Sequence, residues 1–340
     1  MVLSFGELLL RLASPGYTRF LQKDSFEATF CGAEANVAVS LANYGLNSRF
    51  LTVLPDNDIG YAAANSLKWF GVDTSLIKYH SGRMGLFFLE KGASQRPSKV
   101  IYDRAYSSIA LSKAVDYDWD FLFDGVKWFH FTGITPALSD ELADICLNAC
   151  KKANKRGITV SCDLNYRSKL WSTEKAQSVM NEIMQYVDVC FANEEDAEKV
   201  LGIKAQNSDI GTGIISKEGY QSVAYQICQR FGCKYIAISL RKSYSASHNG
   251  WSAMLYDTET DSAFFSKEYD IQIVDRVGSG DSFTAGVIYG LVNHKSNQDT
   301  IDFAAAASCL KHSIEGDFNR VTVDDVEQLI RSSGNGRVVR

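Results

Sequence analysis

Strand-like and helix-like segments alternate over the last two thirds of the chain. This predicts an α/β fold built on a doubly wound, mostly parallel sheet, joined by a small β-sheet lid. Three observations carry the prediction. From Asp118 onward, apolar strands and amphipathic helices follow one another with short connections. Near the C-terminal end the glycine-rich turn Asp275-Arg276-Val277-Gly278-Ser279-Gly280-Asp281 feeds directly into a helical pattern. Earlier, Phe26–Phe30 alternates apolar and polar residues as a half-exposed strand does, and Gly85–Glu90 and Val100–Arg104 are strand-like, separated by the polar stretch Lys91–Ser98. These are the lid. The 340 residues are read as one α/β unit over residues 1–331, with lid strands inserted at about 8–31 and 85–105, and residues 332–340 as a frayed tail.

In chain order, Val2–Phe5 reads as a strand, followed by Gly6-Glu7, then Leu8–Leu12 and the turn Ser14-Pro15-Gly16. Cys31 to Gly45 reads as a tight turn and then a small-residue helix that Gly45 ends. Ser48–Val53 is a strand, Ile59–Phe70 a helix and Gly71–Asp73 a turn. Tyr102 and Arg104, two apart on a strand, share a face, as an edge-strand pair or as part of a site. The regular region then gives strands at Trp128–Thr132, Thr159–Asp163, Val187–Ala192 and Tyr235–Leu240. Helices lie at Ser139–Arg156, with a serine cap, at Thr173–Tyr186, from Asn193, and at Tyr220–Phe231. Trp251–Tyr256 and Ala263–Tyr269 form an antiparallel pair, and helices at Gly280–Asn293, Thr300–His312 and Thr322–Ile330 close the body. Phe283, Val287, Ile288 and Leu291 mark the buried face of the first of these. In such sheets, ligands bind beyond the carboxyl ends of the strands, where the motif loops fall.

Composition narrows the function. Hydrophobic residues make up 46% of the chain, enough for a sizeable core, and the net charge is −5 with no basic block, which argues against nucleic acid as a partner. No apolar run approaches the ~18 residues of a membrane span. Met1 runs straight into the Val2–Phe5 strand without a signal-like segment, so a cytoplasmic location is expected. The eight cysteines form no C-x-x-C pair, and Cys146 and Cys150 share a helix face, so buried, reduced thiols are expected. The five histidines lack metal-ligand spacing.

The Asp275–Asp281 turn carries the chemistry. A helix start leaves backbone N–H groups unpaired, and the helix dipole adds positive potential there, so a phosphate binds readily. Asp281 would crowd that anion unless it has work to do. It is either a helix cap or a base that accepts a proton from a hydroxyl attacking phosphorus. Arg104, Arg167 and Arg241 fall on loops of the same edge. Two arginines from separate loops suit a carboxylate, which accepts paired N–H bonds that a neutral sugar would leave unused.

The run D-x-V-G-S-G-D-S-F-T-A-G resembles the second signature of the PfkB (ribokinase-like) family of sugar and nucleoside kinases, with Ser279 where alanine is common. The stretch from Cys31 to Asn36 resembles the first, usually G-G-x-x-x-N, with Cys31 in place of the first glycine. Gly6-Glu7, G-A-E-A-N-V-A-V, Gly92–Ser98, D-x-N-Y-R-x-K-L-W, Ser243–Ser247 and Gly316-Asp317-Phe318-Asn319 extend the likeness over almost the whole chain, toward 2-keto-3-deoxygluconate kinases within that family. The resemblance implies a ribokinase-like fold. It makes Asp281 the catalytic base and the amides of Gly278, Ser279 and Gly280 the anion hole. It makes Gly32, Asn36, Tyr102, Arg104 and Arg167 substrate contacts, with the two arginines on the keto-acid end. Asn165, Ser239, Arg241, Gly278 and Gly280 fall on the ATP side. Ala304–Ala307 would leave space for adenine, pack tightly between helices, or do both.

The family's usual N-x-x-E is Asn193 followed by Asp196 here, so no metal ligand is assigned, though Mg²⁺ is expected with ATP and a monovalent cation is left open. The implied reaction is ATP-dependent phosphorylation of 2-keto-3-deoxygluconate at its terminal hydroxyl. The rivals are a kinase for a neutral sugar such as fructose or ribose, and a sugar-binding regulator that has lost activity. The resemblance also implies a homo-oligomer paired through the lid. The gluconate or galactonate configuration of the substrate is left open.

Overall fold

The computed structural model describes residues 1–22, 24–204 and 216–332; the expected frayed tail, from residue 333 on, lies outside the described residues. The first part runs β1 (Val2–Phe5), β2 (Leu9–Ala13), β3 (Glu27–Cys31), α1 (Ala33–Asn43), β4 (Ser48–Leu51), β5 (Val53–Pro55), α2 (Asp58–Lys68), β6 (Lys78–His80), β7 (Gly85–Glu90) and β8 (Lys99–Asp103). Next come α3 (Trp119–Leu122), β9 (Trp128–Thr132), α4 (Ile134–Ala137), α5 (Asp140–Lys155), β10 (Thr159–Asp163), α6 (Thr173–Ile183), β11 (Val189–Ala192), α7 (Glu194–Leu201) and α8 (Lys217–Phe231). The chain closes with β12 (Tyr235–Ser243), β13 (His248–Asp257), β14 (Ser262–Phe265), β15 (Tyr269–Gln272), α9 (Ser279–Val292), α10 (Asn297–Lys311) and α11 (Val323–Arg331).

The main sheet has the order β14-β13-β12-β11-β10-β9-β1-β4, with β15 also paired to β13. Its strands from β12 through β4 are parallel, and β13, β14 and β15 are antiparallel. Parallel strands need helices on both faces, so successive side chains must both be apolar. In β9, Phe129 and Phe131 enter one core, with α5, α6 and α8, while Trp128 enters the other, with α1, α9 and α10. The fully buried His130 in the same strand meets Ser161 Oγ through Nδ1 at 2.9 Å, and burial lowers its pKa to about 3, so it stays neutral.

The lid is a separate four-stranded sheet, β3-β2-β7-β8, in line with the strand-like segments expected there. Its own small core joins Leu9, Ala13, Cys31, Phe87 and Leu89, and Val277 of the glycine-rich turn packs against it. Cys146 and Cys150 both face the main core, and seven of the eight cysteines, all free, are buried.

The structure corrects the expected elements in four places. The expected Ser48–Val53 strand breaks at Thr52: β4 joins the main sheet, while β5 pairs with β6 in a two-stranded ribbon. The expected Ala263–Tyr269 strand is two strands, β14 and β15, each paired to a different part of β13. The strand from Tyr235 runs on to Ser243, so Arg241 lies in a strand rather than a loop, because β13 pairs with it along its length. Ala304–Ala307 is helix packing and offers no room for adenine. All four are fully buried, and a Cβ on Gly286 of α9 would lie 2.6 Å from the Ala304 Cα.

Candidate active site

The carboxyl ends of β1, β9, β10, β11 and β12, the lid and the start of α9 enclose a cleft of about 480 Å³. Every residue that the sequence nominated for catalysis or binding lines it: Gly32, Asn36, Tyr102, Arg104, Asn165, Arg167, Ser239, Arg241, Gly278, Ser279, Gly280 and Asp281.

Gly278 caps α9 in the left-handed region, with φ 77°. A Cβ there would lie 2.0 Å from the Asp317 carbonyl oxygen, so both backbone conformation and space demand glycine. The turn is pinned on either side. Ser279 Oγ donates to the Arg276 carbonyl at 2.8 Å, and the Ser279 carbonyl accepts from Ser308 Oγ at 2.7 Å. Of the three amides expected to form the anion hole, that of Ser279 is spent on the Arg276 carbonyl at 3.4 Å, while the N–H groups of Gly278 and Gly280, and that of Asp281 beyond them, have no acceptor among the described residues. They are the free donors that an anion would meet at the positive end of the helix.

Asp281 is the third residue of α9, yet its carboxylate accepts no backbone N–H from that helix. It accepts the Asn36 amide of α1 at 2.6 Å instead. Capping therefore does not account for it. The carboxyl is half-buried, and burial raises its pKa to about 7. The Asn36 bond and the positive charge of Arg167 pull down against that, while the charges of Glu34 and Asp317 push further up. A carboxyl poised near neutrality is suited to take a proton.

The other wall begins at the α1 start. Gly32 lies so close to the Glu7 backbone that a Cβ would be 2.0 Å from its carbonyl oxygen. This keeps the first turn of α1 against the strand end. Glu7 meets Arg104, whose Nε donates to Glu7 Oε2 at 2.7 Å, and Ser107 Oγ, which donates to Oε1 at 2.5 Å. The Arg104 guanidinium also stands 5.4 Å from the Tyr102 ring centre, and Tyr102 stacks on Phe87. Arg167 donates to the Tyr166 carbonyl at 2.9 Å and has no carboxylate partner among the described residues. The two arginines thus differ: Arg104 is ion-paired with Glu7, while Arg167 makes no salt bridge among the described residues and acts at longer range on Asp281 and Asp163.

Toward β12 lie Ser239 and Arg241, the latter 5.3 Å from the Trp251 ring centre. Asn165 holds φ 39°, an uncommon left-handed conformation for a residue other than glycine, with its N–H donating to Asp163 Oδ1 at 3.1 Å. Asp196 accepts the Tyr166 N–H at 3.0 Å and donates its own N–H to Asn193 Oδ1, which caps α7. Burial drives the Asp163 carboxyl well above its usual range, and the nearby charges of Asp196 and Asp281 drive it further. Three acidic side chains, Asp163, Asp196 and Asp281, thus face one cleft, with Arg167 as the cation that acts on Asp163 and Asp281. Among the described residues, no three histidine, cysteine or acidic side chains gather as a metal-ligand set.

Sequence reasoning missed several members of the site. Glu34, in the quoted G-A-E-A-N run, is buried below Asp281 and accepts three bonds, from Thr132 N and from the hydroxyls of Thr132 and Thr135. Glu7, Asp163 and Asp317 stand in quoted motifs too, but the partners of Glu7 and Asp317 lie far off in sequence, at Arg104, Ser107 and Arg11. Trp251 carried no signal beyond an apolar strand.

A family profile described as pfkB family carbohydrate kinase matches residues 1–221 and 248–319. The crystal structure of 2-dehydro-3-deoxygluconokinase from Thermotoga maritima superposes with a TM-score of 0.93 at 50% identity, covering 97% of this chain and 99% of that one. A 2-dehydro-3-deoxygalactonokinase from Haloferax volcanii is 28% identical over 98% of both chains. A 2-dehydro-3-deoxygluconokinase from Bacillus subtilis is 25% identical over 93% of this chain and 90% of its own. Among the described residues, no helix is long and apolar enough to cross a membrane.

Proposed function

The chain belongs to the PfkB family of carbohydrate kinases, and from that premise we propose that it transfers the terminal phosphoryl group of ATP to the terminal hydroxyl of 2-keto-3-deoxygluconate. The carrying observation is the pairing, at one helix start, of free backbone N–H groups with a carboxyl whose pKa is about 7. Asp281 accepts the hydroxyl proton as the sugar oxygen bonds to phosphorus and the bond to the leaving ADP breaks. The N–H groups of Gly280 and Asp281 hold the charge on the group in transfer, within the turn formed by Gly278 and Ser279. Gly32 and Asn36 hold sugar hydroxyls, and Tyr102 lines their side. Arg167 holds the carboxylate end and Arg104 orients it. Asn165, Ser239 and Arg241 face the nucleotide. Lid closure keeps water from taking the phosphoryl group.

Mg²⁺ fits a cleft with crowded carboxylates. It neutralises the nucleotide's phosphates when bound, and Asp163 and Asp196 are the side chains that would face it. Residues 1–331 act as one catalytic unit. A second copy pairs through the outer lid face, where Leu12, Phe88 and the exposed Ile101 align across three strands. The buried free thiols suit the cytoplasm.

A coupled kinase assay with the gluconate and galactonate forms of the keto-deoxy acid, fructose and ribose tests the reading. The acids should be preferred by more than ~10-fold in kcat/KM. The Arg104–Glu7 pair is the observation that favours the rival, a kinase for a neutral sugar, and preference for fructose or ribose would establish it. Ligand binding without phosphate transfer to any of the four would mark a regulator.

A further inference from the structure

Behind the cleft, the phosphate turn is bound to the lid by buried charge. Arg11 sits in the middle of β2 and is 2% exposed. Its Nη2 donates to Asp275 Oδ2 at 2.9 Å and its Nη1 to Asp317 Oδ2 at 2.5 Å. These two carboxylates belong to the two segments that hold Gly278. Asp275 opens the turn, and the Asp317 carbonyl is the atom against which Gly278 packs. Asp275 Oδ2 also accepts the Gly316 N–H at 3.2 Å, and Lys91 Nζ stands 3.6 Å from it. Val277 completes the contact by packing into the lid's own core.

We propose that Arg11 is a positioning residue for phosphoryl transfer: by spanning Asp275 and Asp317 it holds the Gly278 turn, and with it the N–H groups of Gly280 and Asp281, in register with the lid. The inference rests on the kinase reading above. A guanidinium is suited to the task because its planar fork reaches two carboxylates at once, which a single ammonium group does not. The two carboxylates more than offset burial and keep Arg11 protonated. Without it, Asp275 and Asp317 are left with Lys91, Arg276 and Lys311 as nearby charges, each with its hydrogen bonds made to other groups. Lys311 is fully buried, and its Nζ is committed to the Ile314 carbonyl at 3.0 Å. Loss of the shared donor then frees the turn from the lid, while the two main cores, which lie on the faces of the large sheet, stay intact.

The test compares full-length wild type, Arg11→Lys and Arg11→Met by calorimetric titration with ATP, steady-state kinetics and thermal unfolding. Losing or misplacing two charge-assisted bonds should weaken ATP binding by ~10-fold or more, with the acid-sugar KM within ~2-fold of wild type. Added guanidinium ion should restore part of the ATP affinity of Arg11→Met. If Arg11→Met does not fold, Arg11→Lys decides, since it keeps the charge and loses only the span. A folded Arg11→Lys with wild-type ATP affinity overturns the proposal, and so do equal losses for ATP and sugar. Wild-type protein that binds ATP but transfers no phosphoryl group removes the kinase reading alone, and the affinity comparison still decides the role of Arg11. Wild-type protein that binds no ATP removes both.

Discussion

Asn36 donates its side-chain amide to Asp281 at 2.6 Å across 245 residues of sequence, joining the first turn of α1 to the first turn of α9. The bond aims the carboxylate into the cleft and away from its own helix. It also favours the ionised form, against the burial and the neighbouring charges of Glu34 and Asp317 that oppose it.

The pH dependence follows from that balance. A base must be deprotonated to act, so kcat should rise with pH through about 7 and then level. Asn36→Leu removes the group that stabilises the ionised form, so the rise should move up by roughly 0.5–1 pH unit. The pH–rate profile of both proteins checks this, and a wild-type profile flat from about pH 5 to 8 would deny Asp281 the role of base.

Asp281→Ala should lower kcat by roughly 10²–10⁴-fold. ATP affinity should change little, because the donors at the helix start are backbone groups. Single-turnover assays and nucleotide titration separate the two effects, and near-wild-type turnover would contradict the assignment.

The same carboxyl destabilises the fold at high pH. It binds its proton more tightly folded, with a pKa of about 7, than in an unfolded chain, near ~3.9. Stability therefore falls as pH rises between those values, and the loss is complete above the folded pKa. Asp281→Asn cannot ionise and should unfold a few degrees higher near pH 8. The gain is on the order of 2 kcal/mol once its half-exposed position is allowed for, and it vanishes below about pH 4. Thermal melts at the two pH values measure it.

Arg167→Ala should raise the KM for the acid sugar by ~10–100-fold, the worth of a charge-assisted bond, and leave the ATP KM within ~3-fold. Equal rises in both would move Arg167 to the nucleotide side.

Gly278→Ala should cost ~1–3 kcal/mol or more, because the left-handed conformation and the Asp317 carbonyl both resist a Cβ. ATP affinity should fall with it. A denaturant melt paired with ATP titration tests both effects, and unchanged values in each would mean that the turn tolerates a side chain.

Much of this was legible in the chain alone, for a local reason. Periodicities of two and of about 3.6 residues reveal strands and helices because each reports which side chains face the core: of the expected face of α9, Phe283, Val287 and Ile288 are buried and Leu291 is half-buried against the same core. Glycines such as Gly278 are legible because a left-handed turn excludes other residues. The motif loops fall together because parallel strands deliver their carboxyl ends to one edge.

What the tertiary structure alone decided is the partner of each buried charge. Sequence placed Arg104 and Arg167 on separate loops of one cleft, but only the fold shows that Arg104 pairs with Glu7 while Arg167 makes no salt bridge among the described residues. Arg11 drew no notice in a strand-like run, and it proves to bridge two carboxylates more than 260 residues away. Propensity and periodicity act over a few neighbours. A charge taken out of water must be matched by whatever the fold brings within about 3 Å, and no local pattern records what that is.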